Sequence, residues 1–357
     1  MRQTSDYEDN SGGLPLIGMA LGVSFFVLLI LLLVVSLNKN NRPQKPAQAV
    51  VESSEEEATE RFVAGGDLVA SDLDFWDMYA TEEEETTTEE EETEEETTTE
   101  EDPSADGKHV QVVYRDGTSE WLEINPKWKK NTYDFSNLVS KNNLLSYYAD
   151  GKQASYMGID LSRYQEKVNY EAIKNEGIDF CMLRVGARGY KTGTIQADEM
   201  FDTHIEGATK AGLDVGLYFY SQAMTEAEAV EEANYLLNKI GGYKITYPIA
   251  FDMEFVDNDT SRIETLTKAE KTKIALAFLK RIREAGYTGM LYGNKEWLLT
   301  RIDLSQFEDY DIWLADDTDV PDYPYAYSMW QYTQKGEIYG IEGYVNLNIS
   351  FVDYSAR

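Results

Sequence analysis

Residues 247–255 read YPIAFDMEF, and this stretch is the starting point for interpreting the whole chain. Its apolar, β-prone residues are typical of a buried strand, and Asp252 and Glu254 stand near its carboxyl end. Because strand side chains alternate between faces, both carboxylates point to the same side, with their stems roughly 6–7 Å apart. Burying two acids on one face is costly. The spacing therefore predicts a functional pair.

The net charge of −33 is concentrated in one segment. Residues 51–107 contain 24 acidic residues and a single basic one, Arg61. The rest of the chain carries a charge that is ordinary for solubility, and no basic patch indicates nucleic-acid binding. Dense like charge with few apolar residues cannot offset the entropy lost on folding. We therefore predict a disordered spacer here, which spans at most roughly 190 Å when fully extended.

The chain contains one cysteine, Cys181, and two histidines, His109 and His204. A single cysteine excludes an intramolecular disulfide and a cysteine metal cluster, and its apolar surroundings FCMLRV predict an inert, buried thiol. Two histidines argue against a histidine-dependent triad or a multi-histidine zinc site. We predict no metal and no cofactor, so any hydrolytic chemistry falls to carboxylates.

Residues 14–37, LPLIGMALGVSFFVLLILLLVVSL, form an uncharged stretch of 24 residues. As a helix, it is long enough to cross about 30 Å of hydrocarbon. A cleavable signal peptide has a shorter apolar core and a basic start, so we predict an uncleaved, single-pass anchor in the lipid bilayer. Lys39, Arg42 and Lys45 follow it. By the positive-inside rule, these residues alone place the C-terminal side in the cytoplasm.

Changes in composition divide the chain into five regions. They are a short tail at 1–13, the transmembrane helix at 14–37, a disordered acidic Glu/Thr-rich linker at 38–107, a β-rich lead-in at 108–155 and a barrel at 156–357.

The lead-in carries two hairpin signals. Alternating apolar residues flank the dipeptide at 116–117, and a second Asp-Gly pair follows at 150–151. Two interpretations of this region remain open. It is either a structural element packed on the main domain or a carbohydrate-binding element that uses Trp121, Trp128 and its tyrosines.

From residue 156 onwards, strand and helix patterns alternate. Strands are predicted at 156–161, 179–185, 214–220, 247–253, 289–292, 311–315, 328–332 and 345–349. Helices that end before a glycine are predicted at 169–176, 199–211, 226–240 and 268–285. Five βα units followed by three strands predict an α/β fold, a TIM-like (β/α)5(β)3 barrel that is incomplete in its last helices.

The chemistry of such barrels lies where strands end and βα loops begin. Acidic, polar and aromatic residues occupy these positions: Asp160, Arg184, Tyr218, Tyr220, Asp252, Glu254, Tyr292, Asn294, Trp313, Asp316, Trp330 and Gln331. Each alone has a structural explanation as a turn cap, an ion-pair partner or a core residue. Together they favour a sugar substrate, because sugar rings stack on aromatic faces and paired acids drive glycosidic cleavage.

Several stretches resemble the glycoside hydrolase family 25 lysozymes, the Chalaropsis-type muramidases. They are GIDLSRYQ (158–165), FCMLRVGARG (180–189), GLYFYSQA (216–223), PIAFDMEF (248–255), LYGNKEWL (291–298), DIWLA (311–315) and WQYTQKGEIYGIEGYVNLN (330–348). With the predicted anchor, the chain resembles a membrane-anchored bacterial member. The resemblance implies cleavage of peptidoglycan glycan strands at the β-1,4 bond between N-acetylmuramic acid and N-acetylglucosamine, without a metal.

The resemblance also implies roles for single residues. Glu254 matches the general acid of the family, and Asp252 and Asp160 match its other acidic site residues. A same-strand pair suits a mechanism in which the substrate acetamido group attacks the anomeric carbon while Asp252 orients it, with net retention. Negative charge on Asp252 and Asp160 favours the protonated form of Glu254.

One position departs from the family pattern. The closing Val-Asp-x-Asn motif carries Asn346 in place of its aspartate. An amide keeps the shape and some of the hydrogen bonding of a carboxylate but loses its charge. We therefore assign Asn346 to substrate binding rather than to catalysis.

Three functional hypotheses follow from the sequence. The first is a membrane-tethered muramidase whose barrel lies outside the membrane, because its substrate lies there and large domains translocate largely regardless of flanking charge. The second, motivated by Asn346, is a catalytically weak or inactive barrel that binds glycan as a cell-wall scaffold. The third is chitinase-like cleavage of N-acetylglucosamine polymers.

Overall fold

The structure, a computed structural model, describes Pro103 and residues 106–256 and 259–356, which all belong to one compact unit. The predicted tail at 1–13, the membrane span at 14–37 and nearly all of the acidic linker at 38–107 lie outside the described residues. Within the described ranges, no helix combines the length and the apolar composition needed to cross a bilayer.

The described part of the chain begins with a run of strands, and four α-helices lie between later strands. The strands are β1 (His109–Val113), β2 (Ser119–Glu123), β3 (Leu138–Lys141), β4 (Leu144–Ala149), β5 (Lys152–Gln153), β6 (Tyr156–Leu161), β7 (Phe180–Arg188), β8 (Ile195–Ala197), β9 (Asp214–Tyr220), β10 (Ile249–Asp252), β11 (Gly289–Asn294), β12 (Asp311–Ala315), β13 (Met329–Gly336) and β14 (Val345–Ser350). The α-helices are α1 (Tyr170–Asn175), α2 (Phe201–Ala211), α3 (Glu226–Lys239) and α4 (Lys268–Glu284). After β11, a π-helical turn (Trp297–Arg301) and a 3-10 turn (Leu304–Gln306) take the place of a regular helix.

Eight strands close into a barrel. Their order is β6, β7, β9, β10, β11, β12, β13 and β14, and β14 pairs with β6 to complete the ring. Within the ring, the strands from β6 to β13 run parallel, whereas β14 is antiparallel to both of its neighbours. This confirms the predicted barrel and its last section without α-helices. Strand β8 extends β7 as an antiparallel hairpin outside the ring.

Side chains on the barrel strands alternate between the interior and the outer layer. The interior is filled by large side chains that include Phe180, Met182, Met290 and Met329. The outer layer packs the strands against the helices, and Cys181 is buried there as a free thiol, as predicted.

The lead-in contains both predicted hairpins. Strands β1 and β2 pair on either side of the turn at 116–117, and β3, β4 and β5 form a small antiparallel sheet. The turn between β4 and β5 has positive φ at Asp150 (52°) and Gly151 (74°). Two such residues in succession are what a type I′ turn needs.

The lead-in packs on the barrel strands that lack α-helices. Tyr133 stacks on Phe351 with ring centroids 3.9 Å apart, and its hydroxyl donates to the carbonyl oxygen of Tyr327 at 2.8 Å. Trp128 contacts Tyr325 with centroids 4.9 Å apart. The lead-in thus gives this side of the barrel the apolar cover that helices give elsewhere.

Candidate active site

Three carboxyl groups gather at the carboxyl end of the barrel strands. Asp160 lies on β6, Asp252 is the last residue of β10, and Glu254 follows in the next loop; all three are buried. Asp252 is level with Tyr220 on β9 and with Tyr292 on β11. The strand predicted at 247–253 ends at Asp252 in the structure, one residue earlier than predicted. Glu254 lies in the loop that follows and still contacts Asp252.

Asp252 and Glu254 are hydrogen-bonded to each other. Burial raises the pKa of Asp252 to about 7, and the hydrogen bond with Glu254 and the positive charge of Arg184 oppose this shift without cancelling it. This bond favours the charged form of Asp252, which accepts in it while Glu254 donates. Gln222 donates from Nε2 to the backbone oxygen of Glu254 at 2.7 Å, which fixes the main chain at this residue.

Arg184 places a buried positive charge beside the acids. Its Nε donates to Asp198 Oδ2 at 2.7 Å, and neither side chain is appreciably exposed. Burial disfavours the charge, but the Asp198 carboxylate outweighs burial and keeps the pKa of Arg184 above its usual value. Arg184 is therefore a permanent cation that favours the ionised form of Asp252.

Asp160 accepts hydrogen bonds from two amides. Gln331 Nε2 donates to its Oδ2 at 2.7 Å, and Asn346 Nδ2 donates to the same oxygen at 3.4 Å. Burial raises the pKa of Asp160 to about 7, and the two hydrogen bonds oppose this shift. Asp160 and Asn346 are also register partners on β6 and β14. Asn346 thus acts as a donor to Asp160.

Aromatic side chains connect the two sides of the site. The Tyr292 hydroxyl donates to Gln331 Oε1 at 3.2 Å. Trp313 lies edge-on to Tyr218 and Tyr292, with ring centroids 6.0 Å and 4.8 Å apart. Its Nε1 donates to Asn348 Oδ1 at 2.8 Å. These contacts hold the rings rigidly around the carboxyl groups.

The structure brings most of the predicted site residues together. The interior ones are buried near the acids: Arg184, Tyr218, Tyr220, Tyr292, Trp313 and Gln331. Asn294 and Asp316 lie at the rim, where they line two cavities of about 340 and 200 Å³ that Glu254 also lines.

Trp330 is placed elsewhere. Its ring is fully buried in the outer layer against Phe135, and its Nε1 donates to the backbone oxygen of Asp316 at 2.8 Å. A strand that turns Gln331 inward turns Trp330 outward, because neighbouring side chains point to opposite faces. Trp330 therefore supports the loop that carries Asp316 and presents no face to a ligand.

Sequence reasoning missed three polar residues of the site, namely Asp198, Gln222 and Asn348. Asn348 follows Asn346 by two residues on β14. Because residues two apart on a strand point to the same face, the position of Asn346 could have predicted that Asn348 also faces the site. Asp198 follows the short strand β8 and carried no signal, because only the folded chain brings it to Arg184.

Some buried polar atoms at this mouth have no hydrogen-bond partner within the described part of the chain. They are Asp160 Oδ1, Asp252 Oδ1, Arg184 Nη2, Gln222 Oε1 and Asn348 Nδ2. Leaving a buried polar atom unpaired costs free energy, so their concentration at one place indicates a site that a polar ligand completes. Among the residues described, no group of His, Cys, Asp and Glu is arranged to hold a metal ion.

The chain is similar to proteins that are named as a lysozyme, a diacetylmuramidase and an autolysin. Lysozyme M1 of Streptomyces globisporus is 22% identical over 212 residues, which cover 54% of this chain and 66% of that protein. The N,O-diacetylmuramidase of Arthroderma benhamiae is 27% identical over 152 residues, which cover 42% of this chain and 61% of that protein. The chain thus spans less than two thirds of the length of either relative.

A solved structure of the modular autolysin LytC of Streptococcus pneumoniae, in complex with a synthetic peptidoglycan ligand, is 21% identical, with a TM-score of 0.49 over 68% of this chain and 56% of that one. The family model described as Glycosyl hydrolases family 25 matches residues 159–341, just over half of the chain. The match includes Asp160, Asp252 and Glu254 and ends before Asn346. The chain belongs to glycosyl hydrolase family 25.

Proposed function

We propose that this protein is a peptidoglycan hydrolase that cleaves the β-1,4 bond between N-acetylmuramic acid and N-acetylglucosamine. The observation that carries the proposal is the hydrogen-bonded pair of Asp252 and Glu254 at the mouth of the barrel, where Glu254 lines an open cleft. Membership of family 25 and the relatives named as a lysozyme and a diacetylmuramidase support this substrate class.

In the proposed reaction, Glu254 acts first as the general acid. The bond between the anomeric carbon and the bridging oxygen breaks, and that oxygen takes the Glu254 proton. The acetamido oxygen of the N-acetylmuramic acid bonds to the anomeric carbon and forms an oxazolinium ion. Asp252, whose ionised form the positive charge of Arg184 favours, accepts the acetamido N–H and stabilises the positive charge of this ion.

Proton transfer links the roles of the two residues. Once Glu254 has given up its proton, it no longer donates to Asp252, so Asp252 is free to accept from the acetamido group. Water then attacks the anomeric carbon, its proton returns to Glu254, and the bond to the acetamido oxygen breaks. Two inversions at one carbon give net retention of configuration.

A second candidate function has its own motivating observation. Asn346 donates to Asp160 at a position where the family pattern has an acid, so the site lacks one negative charge. A barrel with this deficit that binds glycan without cutting it would serve as a cell-wall scaffold. Cleavage of N-acetylglucosamine polymers is a third candidate. The sugar found at the new reducing end of the product distinguishes this activity from muramidase activity.

Location is part of the proposal. We place the barrel on the extracytoplasmic side of the membrane, anchored through residues 14–37 and separated from the bilayer by the acidic linker at 38–107. Peptidoglycan lies outside the membrane, and large domains translocate largely regardless of flanking charge. We give these two arguments more weight than the basic residues Lys39, Arg42 and Lys45, which favour a cytoplasmic barrel.

A peptidoglycan zymogram tests the function. Wild-type protein is expected to clear the gel, and Glu254→Gln is expected to reduce clearing by at least about 100-fold, since a general acid contributes roughly that much or more. Glu284→Gln, at the exposed end of α4, is the matched control and should clear like the wild type. Glycan binding without clearing by the wild type would instead support the scaffold, and Asn346→Asp would then be tested for restored activity.

A further inference from the structure

The cavity of about 340 Å³ beside Glu254 has a wall that does not belong to the barrel. Loops after β10, β11 and β12 form most of its lining, but Val113, Tyr114 and Arg115 also line it. These residues lie at the end of β1 and in the turn of the β1–β2 hairpin. The hairpin precedes the range 159–341 that the family model matches.

Arg115 fastens the hairpin to the barrel loops. Its Nη2 lies 2.8 Å from both carboxylate oxygens of Glu264, and its guanidinium lies over the Phe255 ring, 4.4 Å from the centroid. Its backbone N–H donates to Glu296 Oε2 at 3.2 Å. Since Phe255 directly follows Glu254, these contacts fix the hairpin relative to the proposed general acid.

The lining of this cavity has the composition that binds a sugar ring. Val113 is 56% exposed, and the partly exposed ring of Tyr114 lies next to it in the chain. Asn294 and Asp316 add polar groups from the barrel loops. Trp297 lines the same cavity, is 4% exposed, and has an Nε1–H without a hydrogen-bond partner within the described ranges. Apolar faces and hydrogen-bonding groups together match the faces and hydroxyl edges of a pyranose.

On the basis of the proposed function, we propose that the β1–β2 hairpin forms an additional saccharide-binding subsite of the cleft, which holds an amino-sugar ring of the glycan strand beyond the two rings that flank the cleaved bond. Tyr114 is the contact residue, and Arg115 is a positioning residue that acts through the hairpin. A strand that continues past the cleaved bond reaches the hairpin, whereas the shortest cleavable fragment does not. The hairpin therefore makes cleavage depend on glycan length.

Steady-state kinetics on glycan fragments of increasing length test this subsite. Tyr114→Ala is expected to raise KM on long fragments by about 3- to 10-fold, the range for loss of one aromatic contact, with kcat and the shortest fragment unaffected. Tyr114→Phe keeps the ring and loses the hydroxyl that donates to Glu120, so it should restore most of the affinity for long fragments that Tyr114→Ala loses.

Two further variants separate contact from position. Arg115→Ala should raise KM on long fragments as Tyr114→Ala does, and the double variant should raise it no further, because both changes remove the same contact. Trp121→Ala is the control, since Trp121 is 37% exposed on the same hairpin and does not line the cavity. An unchanged length dependence in Tyr114→Ala, or an equal loss in Trp121→Ala, would overturn the subsite.

Binding to the Glu254→Gln protein separates this inference from the proposed function. Calorimetry with long glycan fragments should show about 3- to 10-fold weaker binding when Tyr114→Ala is added to Glu254→Gln. If the wild type binds but never cleaves and Tyr114→Ala still weakens binding, the proposed function fails and the subsite stands. If cleavage occurs and the added variant binds equally well, the subsite fails alone.

Discussion

Asp160 carries a free-energy cost that depends on pH. Its ordinary pKa is 3.8, and burial raises the value to about 7 in the folded protein. The folded protein therefore binds this proton more tightly than the unfolded chain does. Stability from this group is greatest below about pH 4, falls as the pH rises towards 7, and is not regained above that pH.

Asp160→Asn is expected to stabilise the protein at high pH only. Both hydrogen bonds reach Asp160 Oδ2, and Oδ1 has no partner among the described residues, so an amide whose oxygen takes the Oδ2 position keeps both contacts and removes the buried charge. We expect the Tm to rise by roughly 4–10 °C at pH 8 and by less than about 1 °C at pH 4. Differential scanning fluorimetry at the two pH values measures this.

The control for this change is Asp309→Asn, which alters an acid that is exposed to solvent. Its Tm should match that of the wild type at both pH values. A shift in Asp160→Asn that is equal at pH 4 and pH 8, or a lower Tm at pH 8, would contradict a buried and partly ionised Asp160.

The sequence supports the assignment of acids better than that of aromatic residues. Asp160 and Asp252 stand at strand ends, and local periodicity predicts strands and their ends well. The prediction for Trp330 overlooked strand alternation, which allows only Gln331 or Trp330 to face inward. The partnership of Arg184 with Asp198 depends on how β8 folds back, which no local pattern encodes.

At the scale of elements, the lead-in replaces helices on one side of the barrel. Tyr133→Ala removes the stack on Phe351 and the hydrogen bond to Tyr327. Tyr133 is only partly buried. We therefore expect the free energy of unfolding to fall by about 2–4 kcal/mol, near the lower end of the losses measured when buried aromatic residues are replaced by alanine. Urea denaturation followed by tryptophan fluorescence measures the change.

Val139→Ala is the comparison for Tyr133→Ala. Val139 lies on β3 in the same lead-in but is 49% exposed, so its truncation should cost less than about 0.5 kcal/mol. Equal losses in the two variants, or no loss in Tyr133→Ala, would show that the lead-in does not stabilise the barrel.

Element boundaries were predictable where buried apolar runs alternate with amphipathic helices. The strands predicted at 214–220 and 311–315 match β9 and β12, and the helix predicted at 268–285 matches α4 to within one residue. The hairpin signal at 116–117 was also local. Its position against the barrel mouth was not predictable, because it depends on Arg115 meeting Glu264 across 149 residues of chain.

At the scale of the whole molecule, the proposed anchor and linker make a prediction about location. Full-length protein should sediment with membranes and resist extraction by high salt, whereas a variant that lacks residues 1–45 should remain in the soluble fraction. In intact cells stripped of wall, external protease should degrade the barrel and spare a cytoplasmic marker. A barrel that survives until the cells are lysed would mean that the basic residues after the span decide the orientation.

The central claim concerns which bond is cut. Purified peptidoglycan should be digested to completion, the new reducing ends converted to alditols with borohydride, and the products identified by mass spectrometry, with Glu254→Gln as the blank. Cleavage as proposed leaves N-acetylmuramic acid at every new reducing end, and the blank shows none. Reducing ends of N-acetylglucosamine, or the same ends in wild type and Glu254→Gln, would contradict the assignment of this protein as a muramidase.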